Sequence, residues 1–159
     1  LNYYMMEAGG RLFVSVASGM VLAGRLEAGR VTTYGEETIL PPEDRFFLGG
    51  GTTVRGYGHN QMGPKNSDGE PLGGNVMVLA NIEARVSLFG ALGAVLFLDS
   101  GGIWGEVDDI SIGTAGLGTG MGLRYDTPFG PLRIDYGFAP TWDDGFKRGR
   151  VYIAIGQAF

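Results

Sequence analysis

The sequence has no cysteine, which excludes a disulfide framework and a thiolate metal site. It has one histidine, His59, so no multi-histidine metal site exists and a serine triad would have to use that residue. No serine sits in a G-x-S-x-G elbow. No uninterrupted apolar run approaches the roughly 18 residues of a spanning helix. Basic residues number 12 against 17 acidic ones and are scattered. That pattern, with a net charge of -5, does not describe a nucleic-acid surface. Helical periodicity is nearly absent. No stretch reads as a signal peptide, and the chain begins at Leu1 in mid-pattern, as a mature or excised piece does. At 159 residues, one domain is expected.

What the sequence has in excess is glycine, 30 residues, far above the usual level of about 7% and without a collagen period. Hydrophobic content is 44%, too high for a disordered chain. Glycine is dense in Arg45 to Gly74, RFFLGGGTTVRGYGHNQMGPKNSDGEPLGG. A segment this long without a helix or strand is usually functional or disordered. Disordered loops are poor in aromatics, and this one carries Phe46, Phe47 and Tyr57. It reads as an ordered loop. Counted from the end of the preceding strand it covers residues 31–74, with Arg55 near its centre.

Period-two alternation fills the rest. In Val76 to Leu88, Val76, Val78, Ala80, Ile82, Ala84, Val86 and Leu88 share one face. Met77, Leu79, Asn81, Glu83, Arg85 and Ser87 share the other. Before the loop, strands are expected over Arg11 to Ala17 and Met20 to Val31, joined at Ser18-Gly19. Tyr3 to Glu7 either extends the first through a bulge at Gly9-Gly10 or ends an earlier strand. After the loop come Gly74 to Leu88, a turn at Phe89-Gly90, and Ala91 to Ser100. A loop from Gly101 to Thr114 carries Trp104 and Asp108-Asp109. Gly116 to Asp126, a turn from Thr127 to Gly130, and Leu132 to Phe138 follow. A loop with Trp142, Asp143 and Asp144 then leads to Arg150 to Phe159.

Three features favour an all-β, antiparallel transmembrane barrel over a water-soluble sandwich. The strands run to about 10 residues, the length a tilted strand needs to cross a bilayer, against 5 or 6 in soluble sheets. Short turns alternate with longer polar loops. The polar face carries Arg25, Glu27, Glu83, Arg85, Arg124, Arg133 and Asp135, more charge than a dry core holds. Leu92, Ala94, Leu96 and Leu98, with Leu117, Met121, Leu123, Tyr125, Leu132, Ile134, Tyr136 and Phe138, form the expected lipid side. Gly116, Gly118, Gly120 and Gly122 fall on one inner face. They mark either close approach of the long loop or relief of strand curvature.

No chemistry emerges from the remaining motifs. Gly51 and Gly56 have P-loop spacing, but Tyr57 stands where lysine is needed and no helix follows. Asp108-Asp109 and Asp143-Asp144-Gly145 lack the alternating ligands of a calcium loop and read as solvated charges. No enzyme activity and no cofactor are expected.

Phe46-Phe47-Leu48-Gly49-Gly50 followed by Val54-Arg55-Gly56-Tyr57 resembles the signature loop of the BamA/TamA superfamily of outer-membrane assembly and translocation barrels, the bacterial surface antigen domain. Further similar stretches follow in order. They are Gly63-Pro64, Asp68-Gly69, Gly73-Gly74, Glu83-Ala84-Arg85, Phe97-Leu98-Asp99-Ser100-Gly101 with Trp104, Gly122-Leu123-Arg124-Tyr125, and Thr127-Pro128-Phe129-Gly130-Pro131-Leu132-Arg133. The pattern from Gly63 to Gly74 is most like the TamA branch. The resemblance implies a sixteen-stranded barrel, of which this chain supplies the C-terminal seven or eight strands, with periplasmic domains absent from it. A natural short form, or an eight-stranded barrel, is the lesser expectation.

The resemblance also implies a mechanism and a place. Carried over to this sequence, Arg55, flanked by Val54, Gly56 and Tyr57, enters the lumen and meets Asp99 first and Glu83 second. The arginine either serves transport or merely pins the loop. Arg150 to Phe159, with Gly156 loosening its edge, would form a lateral gate or an ordinary closing strand. Phe159 fits a barrel insertion signal, although Gln157 departs from the residue usual two places before the end. The implied function is an insertase that folds client proteins into the bacterial outer membrane. A two-partner secretion pore and the anchoring barrel of a patatin-like hydrolase are the alternatives. Implied partners are the outer-membrane bilayer, client outer-membrane proteins, a periplasm-spanning protein of TamB type, and a second copy of the chain if it is half a barrel.

Overall fold

The computed structural model describes residues 2–35, 39–140 and 149–159. The loop residues Trp142, Asp143, Asp144 and Gly145 lie outside them. Seven antiparallel strands form one sheet in chain order: β1 (Asn2–Ala17), β2 (Met20–Tyr34), β3 (Val76–Phe89), β4 (Leu92–Trp104), β5 (Gly116–Thr127), β6 (Gly130–Phe138) and β7 (Arg150–Ile155). The all-β reading holds. Within the described residues β1 and β7 are the two edges of the sheet.

Several boundaries differ from expectation. Strand β1 is continuous, with Gly9 opposite Glu27 and Gly10 opposite Leu26, so no bulge interrupts it there. Its one irregularity lies between Ser15 and Ala17. Strand β2 runs past Val31 to Tyr34, so the irregular segment starts at residue 35 and not 31. Val31, Thr32, Thr33 and Tyr34 are strong strand formers, and Val31 to Tyr34 pair with Met5 to Asn2. Strand β4 runs on to Trp104, which makes Asp99 a mid-strand residue. The last strand ends at Ile155. Gly156 takes a φ of 97°, in the left-handed region open to glycine, and the chain leaves the ladder there.

Alternation sorts the two faces. Ile82, Leu96, Leu98, Met121, Leu123, Ile134, Tyr136, Val151, Ile153 and Ile155 are exposed on one. The described part of the long loop, residues 39–75, lies on the other. It is clipped by paired hydrogen bonds between Phe46 and Gly74 (2.9 and 3.1 Å). The hydrophobic core sits between loop and sheet. Leu40, Phe46, Leu48, Val54 and Met62 of the loop pack with Val31, Met77, Leu79 and Ile103 of the strands. Further along the same face of β3 and β4, the apolar layer gives way to Asn81, Glu83 and Asp99, all buried.

The sheet curls around this loop. Nη1 of Arg55 lies 2.6 Å from Glu83 on β3 and 3.3 Å from Asp135 on β6. In a flat sheet those strands stand about 14 Å apart, at ~4.8 Å per step. Two short carboxylate side chains meet at one nitrogen only if the strands bend toward it.

Candidate functional site, an arginine held by three strands

The loop tip brings Val54, Arg55 and Gly56 to the middle of the sheet, all buried. Gly56 has a φ of 102°, and a Cβ there would lie 2.5 Å from the Phe138 carbonyl carbon. Glycine is required on both counts. The turn directs Arg55 inward, where only 1% of its surface is exposed.

Three carboxylates, each fully buried, receive the guanidinium. Nε donates to Asp99 Oδ2 at 2.7 Å and Nη2 to Asp99 Oδ1 at 2.8 Å, a bidentate fork. Nη1 donates to Glu83 Oε1 and, more weakly, to Asp135 Oδ2. The guanidinium carbon sits 3.5 Å from the centroid of the Phe97 ring, a desolvated cation–π contact. Burial alone would lower the pKa of Arg55, but Asp99 and Glu83 outweigh it and raise the pKa above its ordinary value. The arginine therefore stays charged.

Three further arginines balance the carboxylates. Arg85 donates to Glu83 Oε2 at 2.8 Å. Arg124 and Arg133 donate to opposite oxygens of Asp135. Asn81 donates to Asp99 Oδ1 and to the Thr53 carbonyl, both at 2.7 Å, and accepts from Arg25. Arg25 reaches the Thr52 carbonyl and Arg133 the Gly51 carbonyl, so the loop backbone is tied as well as its arginine.

Arg55 and its two expected partners, Asp99 and Glu83, are brought together directly. The glycine row on β5 faces what the residue type suggests, in part. A Cβ at Gly118 would collide with the Arg55 carbonyl oxygen, and one at Gly116 with Met62 and Tyr57. Gly120 and Gly122 are instead crowded by Phe97 and Asp135 of the sheet itself. Tyr57 is half-buried, packed against the core cluster. Burial raises its pKa.

Phe159 departs from expectation. It is not in the last strand, and its ring lies on the loop-covered side, 5.1 and 5.2 Å from the guanidinium carbons of Arg25 and Arg85. The chain is turned inward at Gly156, and cation–π attraction to those two arginines holds the ring. Gln157 accepts from Arg124 at 3.2 Å on the way.

Sequence reasoning did not single out Asp135, Phe97, Asn81 or Tyr152 as partners of the loop. Phe97 stands two residues before Asp99 and so shares its face, a signal that alternation contains. The hydroxyl of Tyr152 accepts from the Gly56 N–H at 2.8 Å and donates to the Tyr57 carbonyl at 2.7 Å. Among the described residues, no group of three or more His, Asp or Glu is placed to hold a metal ion. Asp108 and Asp109 belong to a 3-10 turn, Val107–Asp109, where Asp109 caps the Glu106 N–H.

Comparison with known proteins places this arrangement. The Omp85 superfamily domain matches residues 1–159. The chain is 30% identical over 155 residues to the outer membrane protein assembly factor BamA of Nitratidesulfovibrio vulgaris, covering 91% of this chain and 19% of that protein. It is 30% identical over 123 residues to outer envelope protein 80, chloroplastic, of Arabidopsis thaliana, covering 72% of this chain and 15% of that one. The crystal structure of BamA from Haemophilus ducreyi lacking POTRA domains 1–3 superposes with a TM-score of 0.75 over 94% of this chain and 34% of that one. At 20% identity that match shows the fold alone. This chain thus spans about a fifth or less of the length of the curated relatives named here. It belongs to the Omp85 superfamily, and its sheet is outer-membrane β-barrel sheet.

Proposed function

We propose that this chain is part of the barrel of an outer-membrane protein assembly factor, with the Arg55 loop as an internal lock. The observation that carries the proposal is Arg55 held by carboxylates of three strands, β3, β4 and β6, at the centre of a curled sheet. A buried ion pair fixes geometry more surely than it adds stability. A loop held in this way keeps one position against the wall while the sheet's edges serve incoming strands. An edge whose pairing opens is a template for β-augmentation, and β7 is an edge of this sheet within the described residues. The name of the Nitratidesulfovibrio relative, an assembly factor, supports the same reading.

The secretion-pore alternative shares the arginine and its carboxylates. A pore needs an open lumen, whereas here the loop packs an apolar core against the sheet. The Gly63 to Gly74 pattern supports a TamA-type branch with a TamB-type partner, and the similarity to BamA supports the other. We therefore assign assembly rather than a branch.

Lipid-exposed open edges are not tolerated in a bilayer. We infer that β1 and β7 are met by the remaining strands of a sixteen-stranded barrel, of which this is the C-terminal portion and residues 35–75 the lumenal loop. Self-association of two copies is the competing closure. Native mass spectrometry of the full-length protein in detergent separates them, because a monomer supports the single barrel and a dimer overturns it.

Function is tested in proteoliposomes. The full-length protein should speed assembly of an unfolded outer-membrane barrel client, and Arg55→Ala should slow it. Large steady conductance in planar bilayers, with no effect on client assembly, would establish the pore instead.

A further inference from the structure

Tyr152 joins the edge strand to the lock. It stands directly opposite Asp135 in the β6–β7 ladder. Asp135 takes the Arg55 side chain, and Tyr152 takes one backbone group from each of the next two residues, the Gly56 N–H and the Tyr57 carbonyl. One cross-strand pair thus holds three consecutive residues of the loop. The ring also lies against the loop turn from Gly50 to Thr53, since a Cβ at Gly51 would come within 3.1 Å of it. Among the described residues, strand β7 is bonded to β6 through six residue pairs, fewer than any other strand pair in the sheet.

We propose that Tyr152 is a positioning residue that couples the placement of β7 to the seating of the arginine loop. This rests on the reading of the Arg55 loop as a lock, and adds what the lock acts on. When β7 moves away from β6, the hydroxyl leaves with it. The Gly56 N–H and the Tyr57 carbonyl then lose their partner in a half-buried site. The loop is less well held, and Arg55 with it. Coupling between sites is reciprocal, so unseating Arg55 loosens β7 by the same factor. The hydroxyl is the physical connection, one donor and one acceptor on a side chain whose backbone lies in the edge strand.

The test is hydrogen–deuterium exchange on the β7 peptide of the full-length protein in lipid nanodiscs. Four forms are compared: wild type, Arg55→Ala, Tyr152→Phe, and both together. Tyr152→Phe keeps the ring and removes the hydroxyl. Arg55→Ala should speed β7 exchange about tenfold when the hydroxyl is present, within the usual range of coupling between sites. In the Tyr152→Phe background the same substitution should add less than about twofold, as for independent sites. A merely structural tyrosine would give equal factors in both backgrounds. Equal factors, or no change in β7 exchange with Arg55→Ala, would overturn the proposal. If Arg55→Ala does not assemble, Arg55→Lys takes its place in the same comparison. Client assembly by the same preparations tests the insertase reading separately, since neither exchange result depends on it.

Discussion

Asp99 receives Arg55 three times: Nε and the backbone N–H both donate to Oδ2, at 2.7 and 3.0 Å, and Nη2 donates to Oδ1 at 2.8 Å. The carboxylate therefore reads the position of the loop backbone as well as the side chain. Its other neighbour, Asn81 Nδ2, is also a donor.

This geometry sets an order of damage. Arg55→Ala leaves three buried carboxylates short of a partner and should cost about 3–5 kcal/mol, the usual loss when a buried pair is broken from one side. Asp99→Asn turns an amide NH₂ toward donors, yet Arg55 keeps Glu83 and Asp135. Its cost should be about 1–3 kcal/mol, that of an unsatisfied buried group. Denaturant unfolding of the full-length protein in detergent measures both. Equal costs, or the reverse order, would show that the charge balance is carried elsewhere.

Phe97 gives a second, independent handle on the same arginine. Phe97→Leu retains apolar volume but removes the ring face under the guanidinium. A desolvated cation–π contact contributes about 2 kcal/mol, so the substitution should cost a similar amount in wild type. In the Arg55→Ala background much of that cost should vanish. A double-mutant cycle with no interaction energy would reduce Phe97 to core filler.

How much of this was legible in the sequence differs between elements. Alternation placed Glu83 on the face that meets the loop, because side chains alternate strictly along a strand, whereas Asp99 was named only through the resemblance of the Phe97 to Gly101 stretch. Turn chemistry located Ser18-Gly19 and the Thr127 to Gly130 turn. The joint role of Glu83 and Asp135 was not legible. They lie three strands apart, and only the curl of the sheet brings them to one nitrogen. The inward path of Phe159 was hidden for a similar reason. Alternation describes a chain that stays in its strand, and the left-handed turn at Gly156 takes this one out. Tyr152 was invisible because its partners are backbone groups, which carry no sequence signal.

Gly118 tests the fit of loop to sheet. A Cβ there would collide with the Arg55 carbonyl oxygen, a backbone atom that cannot swing aside. Gly118→Ala should cost about 1–3 kcal/mol through overpacking and displace the loop tip. Trypsin should then cut after Arg55, which is shielded in the parent. Gly10→Ala, where the added Cβ meets nothing within 4 Å, is the control and should leave the digestion pattern unchanged. Matching patterns in the two variants would mean the loop tolerates displacement from β5.

The outward face is tested by charge. Leu96 is 62% exposed, between the buried Val95 and Phe97, and stands opposite Ala84 on β3 and Met121 on β5. Were this face in water, Leu96→Arg would change stability by about 0.5 kcal/mol or less, as surface substitutions do. In a bilayer the guanidinium must be drawn from water into hydrocarbon, and the cost near the midplane of a barrel is about 2–4 kcal/mol. The same change at Ile112, 94% exposed in the 3-10 turn between β4 and β5, introduces the same charge away from the strands and should cost almost nothing. Both variants are measured by unfolding from lipid bilayers and again from detergent micelles. A penalty at Leu96 that is large in bilayers and near zero at Ile112 fixes the exposed face as the lipid face. Equal small effects at both positions would mean that Leu96 is wet, and that the apolar face is covered by protein or water rather than by acyl chains.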